Sequence, residues 1–453
     1  MRKLWLLAAL APPLPLAAQM TLSQAVETAL KNYPAIRITQ EQMAAAAAGI
    51  QLARTAYLPR VDALAQANRA TRNNVFGMMM PQPIGVIPTM SGPVIGSNNF
   101  GTAWGSAVGV LVSWEPFDFG LRRASVEAAE AGRARSQAAV ERSRFEVGAA
   151  TADGCMTLIA AQETVHAAQA GVDRAATVAR TIHALVDAQL RPGADASRAD
   201  AELAAARTQL IEAEQAVSVA KATLARFLGE AAATALSSSN LLKLPPPAPP
   251  QPLEVGANPI AAEQNTVIEQ ARAQLHILER SYFPRFYLQG AAYARGTGAE
   301  LDGRILGGLN GLAPNTQDYG LGFTVAFPAG DRPAIQARET AQSANIRAEA
   351  ARAQQIAVDL RAQWNIAVAQ LEGARRVAAN TPVQVSAARA AAEQAEARYR
   401  AGLGNVDAVA EAQRLLTQAE IDDALARLSV WRGLLAVATA AGDLRPFLAE
   451  ASQ

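Results

Sequence analysis

One cysteine, Cys155, stands among 453 residues, and it lies inside a helical stretch, so no disulfide can form within the chain. Aromatic residues make up only 5% although hydrophobic residues reach 50%; the apolar content is mostly Ala, Leu and Val, which suits close helix packing and excludes a large aromatic core. Charge of one sign is missing too. Lys and Arg number 41 against 40 for Asp and Glu, a formal charge of +1, so no basic footprint for nucleic acid exists. Beyond the N-terminus no run approaches eighteen consecutive apolar residues; a membrane-embedded form of this chain has to cross as strands of a closed barrel. There is no phosphate-binding loop, nucleophile elbow, zinc motif or paired-carboxylate site, and His166, His183 and His276 show no ligand spacing. Neither an enzyme, a metal nor a cofactor is expected.

What is present is length without proline. Leu121 to Leu190 runs for 70 residues rich in Ala, Glu, Arg and Gln with no proline at all; at ~1.5 Å per residue such a helix is roughly 105 Å long. Ala334 to Ala401 is a second stretch of this kind, interrupted only by Pro382. Charges of both signs alternate along these helices and read as solvated faces laced with pairs.

The order of events is duplicated. Met1 to Ala18, with Arg2 and Lys3 before the apolar run Leu4 to Leu10 and Leu16-Ala17-Ala18-Gln19 at its end, has the layout of a secretory signal, although Leu16 is larger than usual there. A buried strand or short anchor is the plainer alternative, and no cysteine follows the signal to carry a lipid. The first repeat, 19–229, opens with a helix from Thr21 to Ala56 and stops at Tyr57-Leu58-Pro59-Arg60, where proline disfavours helix at the residue before it. Strands are expected at about 61–72 and 103–114. Trp104, Ser106, Val108, Val110, Val112 and Trp114 share one face of the second, with Gly105, Ala107 and Gly109 on the other. Glu115 to Gly120 launches the long helix, which ends near Arg191-Pro192-Gly193, and a further helix, Asp195 to Leu228, closes at Gly229.

A proline-rich linker, 230–257, separates this from the second repeat, 258–442, which is followed by a tail, 443–453. Asn258-Pro259-Ile260 opens the second repeat as Asn32 to Ile36 opened the first, and Tyr282-Phe283-Pro284-Arg285 matches Tyr57 to Arg60; each proline pair is 25 residues apart (34 to 59, 259 to 284). Strands are expected at about 285–295 and 318–328, the latter with Tyr319, Leu321, Phe323, Val325 and Phe327 on one face. From Asp118 to Asp195 is 77 residues and from Asp331 to Asp407 is 76, so one helix-strand-strand-helix-helix unit occurs twice.

Lengths constrain the assembly. Two shorter helices can lie end to end beside each long one, packing on alanine into a wall. Strands of nine to twelve residues suit a tilted crossing of a bilayer, yet four of them cannot close a barrel with an interior, and an open edge in lipid costs several kcal/mol per unsatisfied group. The strands must close with copies of themselves: three copies give about twelve strands and room for a channel, two give eight, which side chains tend to fill.

These features carry a family likeness. The duplicated order, Asn-Pro-Ile followed by Tyr-Xaa-Pro-Arg, the turn Trp114-Glu115-Pro116-Phe117-Asp118-Phe119-Gly120 and the run Tyr399 to Asp407 resemble the TolC-like outer-membrane efflux proteins over nearly the whole mature chain. The resemblance implies a homotrimer in the outer membrane of a Gram-negative bacterium: a twelve-stranded β-barrel in outer-membrane lipid continued by a long periplasmic α-helical barrel. It implies a passive conduit of a tripartite efflux or type I secretion system, docking a periplasmic adaptor and an inner-membrane pump, with no nucleic acid involved. Two departures stand out. Phe327-Pro328-Ala329-Gly330-Asp331 replaces the frequent Phe-Asp-Gly-Gly, and the first hairpin is about a dozen residues longer than the second (59 to 118 against 284 to 331).

Within that frame, the turns Gln189 to Asp200 and Arg400 to Glu411 become the periplasmic tips. Gly193, Asp195, Gly402, Leu403 and Gly404 are the adaptor-contact candidates, with Gly402 and Gly404 permitting a tight reversal. Asp407 falls at the family's acidic constriction, Glu411 lies one turn later on the same face, and Arg400 is placed to pair with a neighbouring helix in a closed gate. The plainer readings are that Asp407 and Asp195 are helix N-caps and Arg400 an ordinary solvated arginine. Trp104, Trp114, Tyr319, Phe323 and Phe327 read as lipid-facing or interfacial belt residues, against a soluble sandwich core. Met78, Met79, Met80 and Met90 are soft enough for Cu(I), but with no other soft ligand near they read as a surface loop. Two competing architectures remain. A periplasmic helical-hairpin adaptor needs a single hairpin and a lipoyl-like domain; a filamentous coiled coil needs sustained heptads and gives the strands no role.

Overall fold

The computed structural model describes residues 20–71, 101–229, 240–298, 300 and 304–452. The expected signal, the methionines at 78–80 and 90, and the serine run of the linker lie outside these residues.

The element order is α1 Leu22–Asn32, α2 Pro34–Thr55, β1 Arg60–Thr71, β2 Thr102–Phe117, α3 Leu121–Asp187, α4 Gly193–Leu228, then α5 Pro259–Arg280, β3 Arg285–Thr297, β4 Thr316–Ala326, α6 Arg332–Arg400, α7 Val406–Ala441 and α8 Arg445–Ala451. The chain is mainly helical with one small sheet, and the helix-strand-strand-helix-helix order occurs twice. It divides into two compact units. One is built from residues up to Met43, Ser136–Thr266 and Ala350 onward; the other from Ala44–Arg135 and Val267–Glu349.

The first unit is helical. Its largest core gathers Leu22, Val26 and Ala29 of α1 with Met156 and Ile159 of α3, Leu224 and Phe227 of α4, and Leu428 and Trp431 of α7. The C-terminal residues are part of it, because Phe447 of α8 is buried edge-on against Trp431, ring centroids 6.3 Å apart. Toward the far end of α6 and α7 the contacts change to alanine: Ala388 and Ala392 meet Ala412, Leu416 and Ala419. α7 is the one described helix long and apolar enough to cross a membrane by composition, but more than half of its most apolar window is buried inside the protein, as a core helix would be.

One expectation for the helices needs correction. The first helix is two, because Tyr33 adopts an extended conformation (φ −72°, ψ 122°) before Pro34. The second long helix runs as expected, α6 passing through Pro382 from Arg332 to Arg400. The lost backbone donor is accompanied by a lateral tie in the same turn: the buried Thr381 hydroxyl donates to Asp423 of α7 at 2.7 Å. The linker, where described, is a strap held by donors, since prolines leave its carbonyls unpaired. Trp431 Nε1 donates to Lys243 O at 2.9 Å, Trp364 Nε1 to Gln251 O at 2.9 Å and Arg375 to Ala248 O at 3.0 Å.

The second unit holds an antiparallel sheet in the order β1-β2-β3-β4. Cross-strand partners such as Val61↔Val112, Val112↔Gly290 and Gly290↔Leu321 place residues of all four strands on a common face. β2 shifts register between Trp114 and Phe117, so Glu115 and Pro116 form a bulge where proline's missing donor is tolerated. Within the chain β1 and β4 are edge strands, and a twelve-stranded barrel is not something one copy can display.

Candidate functional site

Two places in the molecule have geometry beyond packing, one in each unit. The first is the sheet, whose faces differ in chemistry. One carries Val61 on β1, Val108, Val110 and Val112 on β2, Leu288 on β3, and Tyr319, Leu321, Phe323 and Val325 on β4. On β4 these four are 90%, 79%, 63% and 50% exposed, values at odds with the core of a water-soluble sandwich. The other face carries Asp62, Gln66 and Asn68, Gln289 and Arg295, Asp318 and Thr324, beside glycines and alanines and the larger Leu64, Leu111, Tyr287 and Tyr293. Its polar groups bond to one another: Arg295 Nε reaches Asp318 at 2.8 Å and Thr324 Oγ1 lies 3.3 Å from Gln289 Oε1.

Aromatic side chains mark both ends of the apolar face. Trp104, half-buried, has the Arg69 guanidinium over its ring at 5.6 Å. Trp114 donates its indole N–H to Tyr57 O at 3.1 Å. From 104 to 114 is ten steps, about 33 Å along a strand and some 25 Å once tilted by 40°. Phe323 joins a group the sequence reading passed over: Phe286 lies 6.0 Å from Phe323 and 6.2 Å from Phe117, and Phe119 stacks on Phe283 at 5.2 Å. The rings of Phe117, Phe119 and Phe283 come from turns and a strand end, where no periodicity flags them. Phe327 stands just past the end of β4, exposed.

The second place is the pair of turns α3–α4 and α6–α7, which have one geometry. Gln189 (φ 60°) and Gly402 (φ 76°) take the left-handed conformation. The next residue, Leu190 or Leu403, sends its N–H back to Leu185 O at 2.8 Å or Arg398 O at 2.9 Å, closing each helix in a Schellman-type turn. Leu190 and Leu403 are then left 69% and 73% exposed. Sequence reasoning found Leu403 through its glycines and missed Leu190, because a glutamine does not announce a positive φ.

This register corrects the assignment of caps. Gly193 and Val406 begin the helices, preceded by Pro192 and Asn405, and it is Asn405 whose side chain accepts from Ala408 N at 3.0 Å. Asp407 and Asp195 are therefore not N-caps; they lie in the first turns, one residue out of step, and face different partners. Asp407 pairs with Arg198 of α4 at 2.5 Å. Asp195 accepts the phenol proton of Tyr399 at 3.0 Å, while Arg191 covers the Tyr399 ring at 4.4 Å and donates to its carbonyl at 2.5 Å. Burial, followed by the hydrogen bond to Asp195, pushes the Tyr399 phenol up to about 12, so it remains a donor at any physiological pH.

Within the chain Arg400 pairs with Glu396 on its own helix. Glu411 pairs with Arg414 at 2.7 Å, and Gly404 packs against the Arg398 and Tyr399 backbone. His183, on α3, meets Asp200 of α4 at 2.9 Å, and that hydrogen bond raises the imidazole's pKa. Beneath these links Ile182, Ala196, Ala199, Tyr399, Val406 and Val409 form a small buried cluster. Three helices are thus tied across the turns by Tyr399–Asp195 and Arg198–Asp407, contacts the sequence could not supply. Among the described residues no cluster of His, Cys, Asp or Glu side chains is arranged to hold a metal.

Against known proteins, residues 25–230, a little under half of the chain, match the model of the outer membrane efflux protein family. No curated protein is significantly similar in sequence. Solved structures match along almost the full length. The outer-membrane channel OprN superposes with a TM-score of 0.72 at 21% identity, covering 93% of this chain and 89% of that one. The Campylobacter jejuni CmeC outer membrane channel gives 0.71 at 18%, covering 95% and 89%. CusC, whose structures concern folding and transmembrane channel formation, gives 0.75 at 13%, covering 93% and 92%. The family likeness read from the sequence is borne out, and the structural neighbours are channels rather than enzymes.

Proposed function

From a chain with the efflux-protein likeness and the fold of outer-membrane channels, we propose that this protein is a passive export conduit of the outer membrane. The observation that carries the reading is the two-faced sheet: an apolar face left open beside a polar, self-paired one, with both edges unpaired in a single copy. Lipid satisfies the first face, water the second, and neighbouring copies the edges. Three copies of four strands make a twelve-stranded barrel with a wet interior, and the helices extend it into the periplasm. The exposed leucines of the tip turns then meet a periplasmic adaptor, through which an inner-membrane pump supplies the energy. A periplasmic helical-hairpin adaptor, the alternative, has no use for such a sheet.

The tips are the gate in this reading. Tyr399–Asp195 and Arg198–Asp407 tie α4 to α6 and α7 within each copy, and threefold symmetry brings Asp407 and Glu411 of all copies around one axis. Each is paired within its own copy, with Arg198 and Arg414, so the carboxylates attract cations once those pairs part. Opening requires those ties to yield.

The test has two stages. The protein should fractionate with outer membranes as a heat-sensitive trimer; recovery as a soluble monomer after osmotic shock overturns the conduit. In planar bilayers Asp407→Ala and Tyr399→Phe should each raise single-channel conductance. Unchanged conductance and cation selectivity in both would reduce the tip links to a structural role.

A further inference from the structure

A cavity of about 230 Å³, open on one side, lies between α3, α4 and α7 just above the tip links. Small apolar side chains form much of its wall, among them Ala175 and Val178 from α3, Ala206 from α4 and Val409 and Ala410 from α7, with the polar Gln209 and Gln418 also lining it. Alanine at facing positions normally lets helices close up. Here cross-links at both ends hold the spacing. At one end Arg174 donates to Thr417 at 2.9 Å and pairs with Glu420 at 2.9 Å, while α3 touches α7 so closely that a Cβ on Gly171 would come within 3.1 Å of Thr417 Oγ1. At the other end stand Arg198–Asp407 and Tyr399–Asp195. The half-exposed pair Glu202–Arg414, 3.7 Å apart, also borders the cavity.

One lining group is out of keeping with an inert void. Gln413 borders the cavity, and its Oε1 is buried without a hydrogen-bond partner. A buried orphan acceptor is costly unless something donates to it; at the cross-linked end Arg174 Nε is likewise a buried donor without a partner. An apolar cavity of about 150 Å³ holds benzene, so this one has room for a fused bicyclic ring.

We infer that this cavity is a binding site for a small, neutral, flat aromatic molecule carrying one N–H or O–H donor, the ring lying on the alanine walls and the donor facing Gln413. The site does not depend on the conduit reading, since binding is measured on the purified chain whatever it conducts. Val409 belongs both to the cavity wall and to the cluster under the tip, so an occupant bears directly on the packing of the α7 end.

Indole and indene test it, being the same shape with and without the donor. Titration calorimetry of the full-length protein in detergent, with the micelle-only titration subtracted, should give indole an affinity five- to tenfold above that of indene, the worth of one hydrogen bond to a buried acceptor. Gln413→Leu should erase that difference while keeping indene binding. Ala410→Leu, which projects a side chain into the space, should abolish both; Ala206→Leu does the same from α4 should the first variant fail to fold. Equal affinities for the two ligands in the unmodified protein, or binding that survives in the folded leucine variants, would overturn the site.

Discussion

The two places where a strand hands over to a long helix are duplicates in position and opposites in construction. At the first, Asp118 accepts from Gly120 N at 3.2 Å and Arg122 N at 2.6 Å, and its Oδ2 meets Arg122 Nε at 2.9 Å, with both side chains less than a tenth exposed. Arg122 also donates to Ala56 O at 3.3 Å and lies over the Tyr57 ring at 4.7 Å. Phe119 sits at φ 51°, an uncommon conformation for a side-chain-bearing residue, and its ring is wedged between Phe117 at 4.6 Å and Phe283 at 5.2 Å. At the second junction Ala329–Asp331 makes one 3₁₀ turn closed by Asp331 N to Pro328 O at 3.2 Å, with no side-chain cap, Asp331 exposed and no positive φ. Duplication has kept the lengths and let the fastening diverge. One junction is locked by a buried charge and a strained turn; the other is a plain continuation of the backbone.

The largest expected effect breaks the locked junction. Asp118→Ala strands a buried guanidinium and two backbone donors, and should cost about 3 kcal/mol of stability, read as a lower thermal midpoint, whereas Asp331→Ala should leave the midpoint within error. The pH dependence has a defined sign. Burial raises the Asp118 pKa, but the hydrogen bonds from Arg122 and Gly120 outweigh it and hold the carboxyl below its ordinary 3.8. A depressed carboxylate contributes its stability above that ordinary value and loses it as pH falls through the lower folded one. The gap between the native protein and Asp118→Ala should therefore be full at neutral pH and shrink in acid below about pH 4; a gap constant down to pH 2 would mean the carboxylate's charge contributes nothing.

How much of this was legible depends on whether the signal is local. The face of β2 bearing Val108, Val110 and Val112 shows in the sequence because strands alternate every second residue, and α3 shows because seventy residues pass without a proline. What was not legible at Pro382 is the lateral tie in the same turn, Thr381 to Asp423, 42 positions away. The tip was found and its chemistry was not. Tyr399 meets Asp195 across 204 positions, and nothing in either neighbourhood distinguishes a phenol aimed at a carboxylate from one in a core. The plainer reading of Asp407 as a cap rests on aspartate being common before a helix; Asn405, two residues earlier, holds that place.

The smallest effect is the sharpest discriminator between the junctions, because it changes one methyl group in each. Gly120 has φ 94° and open space around its missing Cβ, the nearest atom being Arg280 Cδ at 4.0 Å, so Gly120→Ala meets no clash and its cost is backbone strain alone, about 1 to 2 kcal/mol. Gly330 has equal room and a negative φ. There the added methyl restricts only the unfolded chain, and Gly330→Ala should be neutral or stabilising by about 0.5 kcal/mol. Thermal midpoints of the two variants should thus move in opposite directions or one should not move at all. Equal losses at both sites would mean that the second junction is as tightly specified as the first, and that its exposed 3₁₀ turn is held by contacts from neighbouring copies.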